Sequence, residues 1–595
     1  MAVRISGMVS GLDTDSIVQE LVSAYSTKKE NIVKSQTKLS WKQDAWKSLN
    51  SEVYSLYNKI GNYRYDSAYN LKTSSVSDSS KATVTASSSA VNGTQSLKIK
   101  SLATSGYMTG GKLAASDGSS VTTSTTLSQL GFSGSNTSFK VKDADGNETS
   151  IDVSSSSTIK DVISGLKSAG VNASFDSSNG RIFVNSSSSG AASDFSITTG
   201  GNDFDESTGA LSDSFKALAS LGLVSKTDIE DLQAKYAADE GDDETTAAAK
   251  AANLSALNAA LKSAGLADDD GNATDKAGTM IHGTDAEIEL NGATFTSSTN
   301  SFTINGLTIN ATETTGDNAV TITTGTDTQG IYDKVKDFFS SYNDLINKMT
   351  SLYNAESAKG YEPLTDDEKD AMSETEIEKW EDKIKSALLR RDSTLGNLLN
   401  AMTTSMSGMT YIDENGTAIT YNVAKGKYYY GDEEVGTSMS DVKSFAGSKG
   451  GFTSYALSSF GIATLGFLNA AENEQNAFHI DGDEDDEKTS GKTDKLMAMI
   501  QSDPDTVTAF MKNLSATLYG KIDNMMKSTT MSSAYTVYND KQMNQEYSDY
   551  STSISDWEDK LEDLEDYYYD KFSAMETALQ KLQDQTSSLT SLLGG

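Results

Sequence analysis

Few side chains in this 595-residue chain are of the types that do covalent chemistry. It has no cysteine, which removes disulfides, thiolate metal sites, iron–sulfur clusters and cysteine nucleophiles together. Its two histidines, His282 and His479, lie far apart in sequence, and most histidine catalysis or zinc binding needs more. Serine is abundant, but the G-x-S-x-G elbow is absent, and a triad would have to borrow one of those two histidines. Residues 106–113 (GYMTGGKL) nearly match a phosphate-binding P-loop. Leu113 stands where Ser or Thr would hold Mg²⁺, and no helix follows to aim its N-terminus at phosphate, so the segment reads as a loop. Residues 481–485 (DGDED) begin like a calcium loop. The sixth position is Asp486 in place of Gly and the twelfth is Lys492 in place of Glu, so a solvated acidic loop is expected, as at 240–244 and 268–271. Among 84 acidic residues nothing marks one carboxylate pair for glycoside chemistry. The tyrosine triplets at 428–430 and 567–569 read first as packing aromatics. No catalytic, cofactor-binding or metal-ligating residue is assigned, no cofactor is expected, and the chain does not read as an enzyme.

Composition narrows the classes further. There are 49 Lys and Arg against 84 Asp and Glu, a net charge of −35, which argues against nucleic acid and against an anionic membrane surface. No run of about 18 apolar residues occurs, so no membrane span is expected; the best stretch, 455–471, is broken by Ser458, Ser459 and Thr464. The opening residues lack a continuous apolar region and do not read as a cleaved secretory signal. Apolar residues make up 36%, which suits slender or modular domains better than one large globule. The length suggests about three or four of them.

The elements are strongest at the two ends. Residues 1–13 are punctuated by Gly and Ser and are expected to be flexible. A long helix then starts, with Ser16 and Gln19 at capping-box spacing and Asp13 and Asp15 at its positive end. Its first heptad set is Val18, Tyr25, Ile32, Leu39, Trp46, Val53 and Ile60, wholly apolar. The partner set, Leu21, Lys28, Ser35, Lys42, Leu49, Leu56 and Tyr63, is apolar only at its ends. Six heptads predict a coiled-coil or bundle helix whose seam weakens in the middle. A second seam runs Ile331, Val335, Phe338, Tyr342, Leu345, Met349 and Leu352. A third begins Ile554, Trp557, Leu561, Leu564, Tyr568, Phe572 and Met575 and continues Leu579, Leu582, Thr586, Leu589 and Leu593, with a stutter at 564–572. Asp503 followed by Pro504 marks a cap with Pro at the first helical position.

Between the ends, Ser, Thr, Gly and Ala dominate and strands alternate. Strands are expected at 82–86, 95–102, 139–142, 149–153, 171–175, 181–185, 287–290, 301–304, 307–312 and 320–323, a helix at 158–169, and an acidic, Ala-rich surface helix within 239–275. The pentapeptide LKSAG at 166–170 recurs at 261–265, and L-x-x-L-G at 127–131 recurs at 218–222, hinting at a duplicated module. The fold class expected is α+β: a helical coiled-coil or bundle stalk formed by both termini, with β-rich heads inserted between them. The divisions are 14–72 for the N-terminal helical part, 73–112 with 276–329 for a nearer head, 113–275 for an outer head, 330–549 for further helices with a β-excursion near 411–436, and 550–595 for the C-terminal helix and tail.

These segments also carry a resemblance. The opening ISGMVSGLDT at 5–14 followed by Ile17 and Val18 is similar to the signature of the flagellar hook-associated protein 2 family, the filament cap proteins, although the acidic residue and Pro usual just downstream are replaced by AYST at 24–27. GTDA at 283–286, Asn291, Gly292, Asn300, GLT at 306–308, LLRRDSTL at 388–395, YALSSFGI at 455–462 and DPDTV at 503–507 resemble the same family; 110–280 matches least. The resemblance implies an oligomeric ring at the distal tip of the flagellum, extracellular and exported without signal cleavage, that inserts flagellin and stops its leakage. Implied partners are further copies of the chain, flagellin, the hook–filament junction protein, and the export apparatus with its chaperone. The residues singled out for oligomer or filament contact are Val18, Leu21, Tyr25, Trp46, Leu49, Leu56, Leu564, Tyr568, Phe572, Leu579, Leu582 and Leu589. The rival readings are a surface adhesin binding host glycans or mucin through its heads, and another flagellar axial protein.

Overall fold

The computed structural model describes residues 9–593. Most of the 1–13 segment, Ile5 and its neighbours in the opening signature, the Gly594–Gly595 tail and the side chain of Leu593 lie outside the described residues. The chain forms two compact units: one comprises Lys72–Thr326, the other the chain up to Leu71 and from Asp327 onward.

The Lys72–Thr326 unit holds two cores. In the first, a five-stranded antiparallel sheet runs in the order Lys72–Val76, Val320–Thr326, Gly93–Ser101, Ala286–Leu290, Ala293–Ser297. A three-stranded sheet, Ser301–Ile304, Leu307–Ala311, Ala82–Ala86, completes it. Alternation builds the register: Ala286, Ile288 and Leu290 point inward to Leu97 and Ile99, while Glu287 turns outward to Lys100. The second core lies under a four-stranded sheet, Thr279–Ile281, Ser105–Thr109, Arg181–Ser189, Asn172–Asp176, and a three-stranded one, Glu148–Val153, Thr137–Lys142, Ser196–Thr198. The two expected hairpins around the Ile159–Ser168 helix both form, but in different sheets. Strands Ser105–Thr109 and Thr279–Ile281, which fall within 73–112 and 276–329, pair in the second sheet.

The recurring peptides have a local cause. In each, the N–H of the residue just after the closing glycine returns to the leading leucine: Val171 to the Leu166 carbonyl at 3.4 Å, Leu266 to Leu261 at 2.9 Å, Leu223 to Leu218 at 2.9 Å and Phe132 to Leu127 at 2.9 Å. The intervening glycines, Gly170, Gly265, Gly222 and Gly131, all have positive φ. This is the bonding of a Schellman ending, with its apolar contact across the reversal. The segments that follow differ: a hairpin after Gly170, a single bridge between Ala267 and Ala273 after Gly265. The similarity therefore reflects a repeated stop signal rather than a duplicated module.

The other unit is mainly helical. One core joins Trp46, Leu49, Val53 and Ile60 of the Thr14–Asn62 helix to Phe338, Tyr342 and Ile346 of Thr328–Tyr353, Leu398 and Met402 of Ser393–Met406, and Phe510 and Leu518 of Pro504–Met525. The second heptad seam is consumed here, since all its members except the half-buried Leu352 are buried. The N-cap of the first helix is Asp13, which accepts the Ser16 N–H at 3.1 Å, so the expected cap at Ser16 lies three residues late. Asp503 and Pro504 take the cap and first-turn positions expected. The β-excursion extends past 436: Thr410–Asp413 pairs with Phe452–Tyr455 across the Met439–Lys449 helix. The C-terminal helix, Asp540–Leu593, starts ahead of the expected 550 and runs unbroken through the stutter.

Candidate assembly surface

The two terminal helices, more than 470 residues apart in sequence, pair antiparallel along a polar ladder. Lys29 Nζ lies 3.6 Å from a Glu558 carboxylate oxygen. Gln36 Nε2 donates to Ser551 Oγ at 2.7 Å, and Gln43 Nε2 to Asn544 Oδ1 at 3.0 Å. The Val537 N–H, just before the C-terminal helix, donates to Asn50 Oδ1 at 2.9 Å. Each advance of seven residues on one side meets a retreat of seven on the other, which is two helical turns per step. At the far end, the N–H groups of Val9 and Ser10 donate to Glu576 Oε2 at 2.9 and 3.2 Å. These donors, with the Ser10 hydroxyl foremost, hold the Glu576 carboxyl below the ordinary glutamate range. Charge follows the same pairing: the Thr14–Asn62 helix has seven lysines and five acids, the Asp540–Leu593 helix thirteen acids and four lysines. Polar residues at seven-residue spacing beside the apolar set were the signal that sequence reading passed over.

The singled-out residues separate along this pair. Trp46, Leu49 and Leu56 lie in the core of the helical unit, and Trp46 stacks on Tyr538 with ring centroids 5.4 Å apart. That burial accounts for their apolar character without a second chain. Val18 is also buried. Tyr25 and Tyr568 are brought together; their hydroxyl hydrogen bond, with burial second, pushes the Tyr568 phenol up. Leu564 and Phe572 are half-buried, Leu21 and Tyr25 are exposed, and Leu579, Leu582 and Leu589 are exposed on the outer part of the C-terminal helix. The polar middle of the N-terminal seam is spent locally. Ser35 Oγ donates to its own helix at Asn31, and Lys42 Nζ reaches Asp392 Oδ2 at 2.8 Å, the residue that caps Ser393–Met406. Lys28 Nζ sits 5.5 Å from the Trp557 ring centroid.

The chemical candidates resolve into structure. The amides of Gly110 and Gly111 donate to the carbonyls of Ile182 and Gly222 at 2.7 and 2.8 Å, so they are not free to cradle phosphate. A Cβ at Gly111 would lie 1.9 Å from the Lys276 carbonyl oxygen; close backbone approach, not anion binding, demands glycine there. The acidic loop at 481–486 is ion-paired and not merely solvated. Lys336 Nζ lies 2.6 Å from both Asp483 Oδ1 and Asp485 Oδ2, Lys492 meets Asp481 at 2.8 Å, and His479 Nδ1 meets Asp486 at 2.6 Å. His282 likewise pairs with Asp194, at 2.6 Å. Among the described residues no group of three or more His, Asp or Glu is disposed to hold a metal ion, and no helix is long and apolar enough to cross a membrane.

Comparison with known proteins follows these elements. The family model for the flagellar hook-associated protein 2 N-terminus matches residues 10–106, and that for its C-terminus matches 283–584. The chain belongs to the flagellar hook-associated protein 2 family. The hook-associated protein 2 of Halalkalibacterium halodurans is 23% identical over 621 residues, 98% of this chain and 99% of that protein. That of Thermotoga maritima is 29% identical over 189 residues, 31% of each. The D1-D2-D3 domains of the flagellar cap protein FliD from Escherichia coli align with a TM-score of 0.43 at 16% identity, over 82% of this chain and 97% of theirs. Both hook-associated protein 2 matches stop where the two cores of the Lys72–Thr326 unit meet. The second core, from Met108 to Met280, falls between them.

Proposed function

We propose that the chain caps the distal end of the flagellar filament as an oligomer, promoting insertion of exported flagellin and preventing its escape. The antiparallel terminal pair carries the reading. Its inner part is fixed to a large core, while its outer part keeps an apolar stripe, Leu579, Leu582 and Leu589, open for other helices. Leu21 and Tyr25 extend that surface on the N-terminal helix, and the half-buried Leu564, Tyr568 and Phe572 set its inner edge. The work is done by binding and by folding of flagellin. Export through the flagellar channel without signal cleavage, a dedicated chaperone, and an initial seat on the hook–filament junction protein belong to the same reading.

The test is the partition of flagellin between cell-attached filaments and medium in a host lacking this chain. Released flagellin, with filaments restored by the added protein, is the expected result; normal filaments without it would refute the role. A Leu582→Lys, Leu589→Lys chain should be exported normally and restore filaments poorly.

A further inference from the structure

The helical unit presents a second apolar feature away from the terminal pair. Residues 464–478 follow the Ile462–Ala463 strand and carry Phe467 and Leu468 at their tip, 77% and 92% exposed. Single exposed apolar residues are ordinary, but two adjacent large ones form a projecting patch. The tip is fixed. The N–H groups of Asn469 and Ala470 both donate to the Gly466 carbonyl at 3.1 Å, and Glu474 and Ala477 close further turns. Gly466 has φ +78° with open space around it, which lets the chain turn sharply there.

This segment helps to line a cavity of about 440 Å³: Thr464, Asn476 and Phe478 come from it, and Tyr342, Met406 and Ile462 from outside it. None of the residues lining it is charged. Tyr342 is fully buried; burial pushes its phenol well above the ordinary range, and its hydroxyl has no hydrogen-bond partner.

We propose that this cavity receives the Phe467–Leu468 tip of a neighbouring copy of the chain; the inference rests on the oligomeric reading above. Charge selects a second copy. Each chain carries −35, so two copies repel wherever their acidic surfaces face. Residues 465–471 contain no charged side chain and neither does the cavity lining, so here two copies meet without opposing or desolvating carboxylates. The turns hold the tip outward before binding, which reduces the ordering cost of docking. A Phe and a Leu bury less than the roughly 1,200 Å² of a stable interface, so the tip is an anchor within a wider contact.

The absence of cysteine makes the test clean. In the full chain, Leu468→Cys combined with Ser407→Cys should give, on mild oxidation, disulfide-linked species of two or more copies beyond those of either single variant. A disulfide closed within one chain, or no disulfide, would overturn the proposal. Independently, Phe467→Ala with Leu468→Ala should raise the concentration at the midpoint of self-association by about tenfold, read by light scattering, with no change in Tm. An unchanged midpoint overturns this inference alone, whereas a wild-type chain that does not self-associate would also remove the oligomeric cap.

Discussion

Lys59 Nζ lies 2.6 Å from Asp337 Oδ1, and Tyr63 donates to Oδ2 at 2.5 Å, tying the N-terminal helix to Thr328–Tyr353. Burial pushes the Asp337 carboxyl up, but these hydrogen bonds outweigh it and hold it below the usual range. A depressed carboxylate stabilises the fold fully above its unfolded pKa of about 3.9 and stops doing so as pH falls through the folded value. Asp337→Asn should therefore lower Tm at pH 7 and flatten the acid limb below about pH 4, read as Tm from pH 2 to 7. Parallel limbs would refute the assignment. At Lys336, replacement by Met leaves Asp483 and Asp485 facing each other. Breaking that partly buried cluster should cost about 1–3 kcal/mol in urea unfolding, less than for a fully buried pair because Lys336 is about one-third exposed. Lys336→Arg should recover part of it. The acids were legible in the sequence; the lysine between them, 147 residues away from Asp483, was not, because only the packing of Thr328–Tyr353 brings it there.

At the scale of elements, one helix has two characters. From Leu39 to Tyr63 the apolar residues of its two heptad sets are all buried, whereas before Leu39 only Thr14 and Val18 of the helix are. The heptads made the helix legible, and the polar set at Lys28, Ser35 and Lys42 marked where its seam weakens. They could not say that the apolar end packs on three other helices, because a period of 3.5 looks the same on a bundle core as on a two-helix seam. Trp46→Ala should cost about 3–5 kcal/mol, as for other fully buried aromatics, whereas Leu582→Ala in the free chain should stay within about 0.5 kcal/mol. Urea denaturation of both variants checks this, and a large loss for Leu582→Ala would mean that the outer stripe is already covered in the monomer. In the β-rich unit, alternation locates Ala82–Ala86 and Ser301–Ile304, but Gly106–Thr109, part of the segment that reads as a loop in the sequence, lies in the strand Ser105–Thr109. A Cβ at its Gly106 would displace the Asp194 carboxylate, a tertiary contact that local pattern does not carry.

At the scale of the molecule, the second core of the Lys72–Thr326 unit is an insertion with a definite neck. Thr104 and Thr284 exchange backbone hydrogen bonds, 2.9 Å one way and 3.1 Å the other, and their hydroxyls lie 2.9 Å apart. Such a reciprocally bonded antiparallel pair has Cα atoms about 5.5 Å apart and is the pair that flanks a two-residue hairpin turn. Residues 105–283 can therefore be replaced by Asn-Gly with the first core's register unchanged. The cores bury separate sets of side chains: Leu97, Ile99 and Ile288 on one side, Phe139, Val184 and Leu261 on the other. The deletion also removes secondary ties, such as Ser189 Oγ to the Ser298 carbonyl at 2.7 Å, but these are exposed and each contributes little. The shortened chain should fold, unfold cooperatively with the Tm of the helical unit unchanged, and lose circular dichroism only in proportion to the missing strands and helices. Because both family-matched segments survive it except for residues 105, 106 and 283, it should also retain flagellin on filaments in a host lacking the full chain. Folding with loss of retention would move part of the capping surface into the excised core, whereas aggregation would show that the first core depends on the second for its stability.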